Sequence, residues 1–288
     1  MPYNYSPLRY PGGKSQLANY IVHLLKKNQL EGATYCEAFC GGAGVAMKLL
    51  LNNHVHQIIL NDLDSAIYSI WYALLNDTDR FIDKMNKTNV SMEEWHKQRN
   101  IYQQLKEYKS YSFDLAFAAF FLNRTNRSGI IQGGPIGGHS QESKYKIDCR
   151  FNLPVLTKKI EKIAAFRNQI HLYNLDGVDF IKKILVPFDE PIFIFFDPPY
   201  FHQGQNLYKN ALELEYHIQL SRTIKNLQKP WIVTYDDEPT IRDLYRCCEG
   251  WKYNIHYTAN IKRHAHELIF KSPMIEMESY QNIKLIDL

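Results

Sequence analysis

The sequence predicts an α/β fold: a mostly parallel sheet of seven strands whose last two form an antiparallel hairpin. Two observations predict it. Short apolar, β-branched or aromatic runs alternate with stretches of helical periodicity, the pattern of strand–helix–strand units with right-handed crossovers. The last two apolar runs have only a short basic stretch between them, which suits a hairpin better than a crossover. A third observation sets the domain plan, because one long interval carries no strand run at all.

In chain order the strand runs are ATYCEAF (33–39), HQIILND (56–62), QIHLYN (169–174), PIFIFFD (191–197) and PWIVTYD (230–236). The hairpin pair is KYNIHYT (252–258) and HELIFKS (266–272), joined by ANIKRHA. Helical periodicity occupies 14–29, 43–51, 64–75, 176–185 and 215–228. From 76 to 159 the rhythm breaks. The first part, around MEEWHKQRNIYQQLKEYKSYSFDLAFAAFFLNRT, reads as helices. The second, NRSGIIQGGPIGGHSQESKYKIDCRFN, is polar and glycine-rich, and GGPIGG cannot lie inside a helix. The expected plan is a body of residues 1–75 and 160–288 with a helical module, 76–159, inserted between the second and third strands.

Composition narrows the class. A chain of 288 residues suits one large domain or one domain with an insert. No apolar run approaches the ~20 residues that span a bilayer, and MPYNYSPLRY has no apolar core of a secretory signal. Five cysteines, Cys36, Cys40, Cys149, Cys247 and Cys248, form neither a disulfide framework nor a paired CxxC spacing, so reduced thiols in a cytosol are expected. HAH at 264–266 stands without an H-E-x-x-H, and no metal site is expected. The formal charge of +4 and the pI near 8.6 agree with a polyanionic partner but do not select one.

LRYPGGKSQL (8–17) imitates a phosphate loop, since Gly13-Lys14-Ser15 supplies the tail of G-x-x-x-x-G-K-S/T. Position 8 is Leu8 instead of glycine, and no apolar strand precedes the segment, so the triphosphatase reading fails. FIFFDPPY (193–200) is the stronger signal. Two prolines end an apolar run and stiffen the turn, so Asp197 and Tyr200 project from the carboxyl edge of the sheet, where open α/β folds bind ligands. Such a turn can hold a planar amine: the carboxylate accepts one N–H, the Pro198 carbonyl the other, and the ring stacks. The bland alternative is a Pro-rich loop with Asp197 as a cap. CEAFCGGAGVAMKLL (36–50) puts Gly41, Gly42 and Gly44 between strand and helix, which allows close approach of a cofactor. The next strand ends at Asp62, the place of an acid that binds ribose hydroxyls. Asp62 could otherwise cap the following helix, a task open also to Asp64 or Ser65.

With these motifs in order, the chain resembles the Dam-type DNA adenine methyltransferases over nearly its whole length. LRYPGGKSQL is similar to that family's N-terminal P-x-x-x-x-x-G-G-K element beside the cofactor pocket. Further matches are FFLNRTNRSG (120–129), RFN (150–152), LYKN (207–210), TYDDEPTIRDLY (234–245) and ELIF (267–270). The resemblance implies a Rossmann-like methyltransferase fold and S-adenosylmethionine as cofactor. It implies Tyr10, Lys14, Phe39, Gly41, Gly42, Gly44, Asp62, Asp176 and Asp197 on cofactor positions, and Asp197, Pro198, Pro199 and Tyr200 as the catalytic turn. The partner of Lys14 is either the cofactor carboxylate or an active-site acid. Two departures stand out. Ala43 occupies a loop position where many members have Gly, and IIQGGPIGGHSQ does not follow the N-G-x-x-R pattern of the GATC-reading members.

The activity implied is methylation of adenine N6 in double-stranded DNA, with the base flipped out of the stack and Tyr200 replacing its lost stacking. Neither a metal nor a membrane is required. A monomer or weak dimer in a bacterial or phage-type cytoplasm is expected, with or without a companion restriction enzyme. The rivals are methylation of an exocyclic amine of RNA or cytosine, a DNA-binding relative without catalysis, and a dinucleotide oxidoreductase, which the missing G-x-G-x-x-G disfavours. The insert supplies the expected reading head. Residues 123–150 hold five basic side chains, Arg124, Arg127, Lys144, Lys146 and Arg150, against Glu142 and Asp148. Asn123, Arg124, Asn126, Arg127 and Gln132 are the expected DNA contacts.

Overall fold

The computed structural model describes residues 5–10, 14–201, 207–257 and 263–288. Its sheet has eight strands: β1 Thr34–Glu37, β2 Ile58–Asn61, β3 Ile170–Tyr173, β4 Ile192–Phe196, β5 Trp231–Asp236, β6 Gly250–Tyr257, β7 Arg263–Lys271 and β8 Leu285–Asp287. Their order is β3-β2-β1-β4-β5-β7-β6-β8. The first five in that order are parallel, and β7, β6 and β8 are antiparallel. All seven expected strands form. The eighth corrects the expectation of seven: β8 adds three residues to the outer edge of β6, too short a run to read as a strand. Strands β1, β2 and β4 are buried at every position, as expected of parallel strands covered on both faces. The chain goes to one side after β1 and to the other at β4, so the crevice outside their carboxyl ends is the switch point where ligands bind.

The helices are α1 Ala18–Lys27, α2 Gly44–Leu51, α3 Ser65–Asn76, α4 Thr78–Lys87, α5 Met92–Leu105, α6 Phe113–Thr125, α7 Leu153–Ala164, α8 Gly177–Phe180, α9 Leu207–Lys225 and α10 Pro239–Leu244. A π-helical stretch, Ile181–Leu185, continues α8. The first periodic run opens as a 3₁₀ turn, Ser15–Leu17, before α1. Helix α9 begins eight residues before the expected run and takes in the LYKN backbone. In the insert, Ser91 and Ser112 accept backbone N–H bonds at the starts of α5 and α6, which fixes where those helices begin. Helix α6 is apolar nearly all round: Phe117, Phe120 and Phe121 are buried among α3, α4, α5 and the segment after it. One apolar cluster runs from Leu17 and Leu24 through Tyr35 and Leu60 to Trp71, Phe120 and Ile160, so the insert shares a core with one face of the sheet.

Candidate active site

The loop after β1 is built for close approach. Gly41 and Ala43 both take left-handed backbone conformations, with φ near +45°. A Cβ at Gly41 would lie 2.7 Å from the Tyr10 ring and one at Gly42 2.7 Å from the Tyr10 Cβ, so only glycine lets that side chain rest on the loop. Gly44 begins α2. Below the loop, Glu37 is fully buried; its Oε1 accepts from the Ala46 amide at 2.9 Å and from the Tyr35 hydroxyl. Burial pushes its carboxyl up to about 8.

Asp62 follows β2 directly. Its Oδ2 accepts from the Gly41 amide at 2.8 Å and its Oδ1 from the Asp64 amide at 3.0 Å. Burial pushes the carboxyl up to about 6, against the pull of those two amides. The helix-cap alternative falls to Asp64, whose side chain accepts from the Ala66 and Ile67 amides at the start of α3. Asn61 ties the three strand ends together, donating to the carbonyls of Ala38 and Leu175 at 3.0 Å each. Asp176 caps α8 through the Val178 and Asp179 amides. A Cβ on Gly177 would meet the Phe39 ring at 2.6 Å, so Phe39 packs beside Asp176. Phe39, the glycine loop, Asp62 and Asp176 thus line one side of the crevice, beyond the ends of β1, β2 and β3.

Asp197 leaves β4 on the other side. Its Oδ1 accepts from Thr234 Oγ1 at 2.7 Å and lies 3.4 Å from Lys14 Nζ. Burial pushes its carboxyl up to about 6; Lys14 opposes the rise and Glu267 adds to it. Pro198 is buried and Pro199 exposed. From β5, Asp236 accepts the Phe201 amide and closes the turn. Tyr200 does more than present a ring. Its hydroxyl donates to Glu267 Oε1 at 2.8 Å and accepts from Lys14 Nζ at 3.2 Å.

Lys14 resolves in favour of the acids. Its Nζ sits 2.7 and 2.8 Å from the two Glu267 oxygens, and both side chains are 2% exposed. Glu267 also accepts from the Tyr253 hydroxyl on β6. Glu267 and Tyr253 are the site residues that sequence reading left without a role. The only available signal was a carboxylate within the apolar run of ELIF. Pro11, Gly12 and Gly13 of the PGGK element lie outside the described residues, as do the side chains of LYKN and of His264. Among the described residues no group of three His, Cys, Asp or Glu could hold a metal ion, and no helix is long and apolar enough to cross a membrane.

With this geometry in hand, comparisons with known proteins are decisive on one point. The family model for D12 class N6 adenine-specific DNA methyltransferases matches residues 10–262. The chain belongs to this family. A search of curated proteins finds no relative. Among solved structures, a Pyrococcus horikoshii protein provisionally named an RNA methyltransferase is 8% identical, with a TM-score of 0.42 over 97% of this chain and 89% of that one. A methylase candidate from Clostridium difficile 630 is 15% identical, with a TM-score of 0.39 over 96% of this chain and 56% of that one.

In this D12 adenine methyltransferase the expected DNA contacts divide into two groups. Asn123 is buried: its Oδ1 accepts from the Arg9 amide at 2.9 Å, and its Nδ2 donates to the carbonyls of Arg9 and Gly129. Asn126 is buried too, accepting from Trp95 Nε1 at 2.7 Å and donating to the carbonyls of Ile130 and Ile131. Arg124 donates to the carbonyls of Arg150 and Pro7, and burial lowers its guanidinium to about 10. Asn123 and Arg124 thus bond to backbone, and Asn126 to the Trp95 side chain and to backbone carbonyls. Arg127 and Gln132 are exposed. Gly129, with φ near +78°, permits the clamp on Arg9: a Cβ there would sit 2.0 Å from the Arg9 carbonyl oxygen.

Proposed function

We propose that the protein transfers a methyl group from S-adenosylmethionine to the exocyclic N6 of an adenine turned out of duplex DNA. The observation that carries this reading is Asp197, half-buried at the end of β4 and ahead of Pro198, Pro199 and Tyr200, across the switch-point crevice from the glycine loop and Asp62. The lining fits the cofactor. Glycines 41 and 42 leave the loop backbone without side chains, Phe39 offers an apolar wall, and the Asp62 carboxylate suits the two ribose hydroxyls through charge-assisted hydrogen bonds. When bound, S-adenosylmethionine supplies an electrophilic methyl group on a sulfonium centre.

The chain's own residues do the rest. An aromatic amine is a poor nucleophile because its lone pair is delocalised into the purine. With Oδ1 engaged by Thr234 and Lys14, Oδ2 of Asp197 accepts one amine proton and the Pro198 carbonyl the other. Both bonds favour a pyramidal nitrogen, which is stabilisation of developing charge by preorganised acceptors. Methyl transfer would break the sulfonium S–CH3 bond and leave S-adenosylhomocysteine, and the N6 proton lost to keep the amine neutral would pass to Asp197. A carboxyl titrating near 6 is ionised at neutral pH and returns that proton to water. The Tyr200 ring stacks on the base, worth roughly 1–3 kcal/mol, and the base leaves the duplex because the reacting atom is otherwise out of reach. Exposed Arg127 and Gln132 are the contacts proposed for DNA. Mass spectrometry of nucleosides from plasmid DNA incubated with enzyme and S-adenosylmethionine tests the reading. N6-methyladenine is expected; methylcytosine, or methylation of RNA alone, overturns it.

A further inference from the structure

Glu267 lies fully buried on β7, opposite the Tyr253 position of β6, and collects Lys14, Tyr200 and Tyr253 around one carboxylate. We propose that Glu267 is a positioning residue for methyl transfer: it draws the Lys14 ammonium off Asp197 and anchors the Tyr200 ring, leaving Asp197 basic enough to hold the target amine. The inference rests on the reading of Asp197 as amine acceptor.

The distances show which acid holds the lysine. Lys14 Nζ is 2.7 and 2.8 Å from the Glu267 oxygens but 3.4 Å from Asp197. A lysine given to Asp197 alone would compete with the amine for the carboxylate's lone pairs. Taking two charges out of water is costly, and replacing a buried ion pair by apolar residues is often neutral or stabilising. Stability alone therefore gives no reason for this pair at the mouth of the catalytic turn. The Tyr200 and Tyr253 hydroxyls complete the hydrogen bonding that such a buried carboxylate requires.

The groups facing Asp197 define what its titration reports. Lys14 lies on the segment before α1, Tyr10 on the N-terminal segment, and Tyr35 and Glu37 on β1. Thr234 and Asp236 lie on β5, Tyr253 on β6, Glu267 on β7 and Tyr200 on the turn itself. Among these, Lys14 favours the ionised form and Glu267 the protonated form. Glu267→Gln removes the opposing charge and frees Lys14 for Asp197, so the Asp197 midpoint falls. Lys14→Gln does the reverse, and the midpoint rises.

The test is a carbon-13 NMR titration of protein labelled at aspartate Cγ, with the Asp197 signal assigned by its loss in Asp197→Asn. In Glu267→Gln the midpoint should fall below the wild-type value by about one pH unit, and in Lys14→Gln it should rise by a similar amount. A midpoint in Glu267→Gln at or above that of wild type overturns the proposal. If Glu267→Gln does not fold, Tyr253→Phe carries the test: it strips one donor from the carboxylate, exposes Asp197 to more of its charge, and should raise the midpoint. An unmoved midpoint there overturns the proposal. Calorimetry with S-adenosylhomocysteine should give Glu267→Gln wild-type affinity, while kcat falls about tenfold; a kcat equal to wild type overturns the proposal. The NMR arm needs no turnover. Absence of methyladenine from wild-type reactions would defeat the reading of Asp197 without touching the titration result.

Discussion

Asp197 sits where three neighbours pull on one carboxylate: Thr234 and Lys14 stabilise its charge and Glu267 opposes it. Removing the acceptor should cost more than removing any of its neighbours. Asp197→Ala is expected to lower kcat at least 10²–10³-fold, the scale of a lost preorganised polar partner, with a thermal midpoint close to wild type. Near-normal turnover would end its role as amine acceptor. Tyr200 separates two contributions. The ring was legible from D-P-P-Y, but the hydroxyl bonds to Glu267 and Lys14 were not. Tyr200→Ala should lose stacking and anchor together. Tyr200→Phe should keep more activity than Tyr200→Ala yet lose roughly ten- to a hundredfold, because hydrogen bonds to charged groups contribute about 1.5–3 kcal/mol. Full activity in Tyr200→Phe would mean the anchor has no part in the reaction. Asp62 and Asp197 could be read from the sequence because each ends an apolar run beside turn residues. Glu267 could not, since its lysine lies 253 positions away and nothing local marks the pair.

The most consequential segment lies ahead of the first α-helix. The segment before α1 carries Tyr10 to the glycine loop and Lys14 to the acids. Its hold comes from the end of α6, where Asn123 brackets the Arg9 backbone and Arg9 Nη1 donates to the Asn126 carbonyl at 2.8 Å. FFLNRTNRSG therefore holds the segment that carries Tyr10 and Lys14, whereas its composition suggested a surface for DNA. Asparagine and arginine serve backbone and nucleic acid with the same atoms, so sequence alone could not separate the two uses. Their variants can. Asn123→Ala strips three buried hydrogen bonds, and it should cost about 2–3 kcal/mol of stability and reduce kcat through the displaced Lys14. Arg127→Ala should leave the thermal midpoint and S-adenosylhomocysteine affinity unchanged. If it meets a phosphate, affinity drops for every duplex and the salt slope falls by about one. Fluorescence anisotropy on target and random duplexes across a salt series reads this directly. Equal binding by Arg127→Ala and wild type would move the DNA contact elsewhere on the insert.

At the scale of the whole molecule, the parallel strands were legible because each is a short apolar run bounded by turn residues, and β8 was missed because one half-buried and two exposed residues at a sheet edge carry no such run. Between β2 and β3 the described residues after 75 form helices and no named strand, but helical periodicity says nothing about what an apolar face packs against. Here the faces of α3, α6 and α7 join the cluster that contains Tyr35, Leu60 and Phe193 of the sheet. A module with its own core would melt separately from the body. A shared core couples the two, because opening the insert exposes the same side chains that cover the sheet. Calorimetric melting should accordingly give one transition whose calorimetric and van't Hoff enthalpies agree. S-adenosylhomocysteine, proposed to bind at the sheet edge, should move that transition as a unit. At a hundredfold excess over Kd the stabilisation is about 2.7 kcal/mol, or roughly 4–5 °C for a chain of this size. The fluorescence of Trp95 in the insert and of Trp231 in β5 should shift by the same amount, each followed in a variant retaining it alone among the tryptophans. Two transitions, or a ligand shift confined to Trp231, would show that the insert folds on a core of its own.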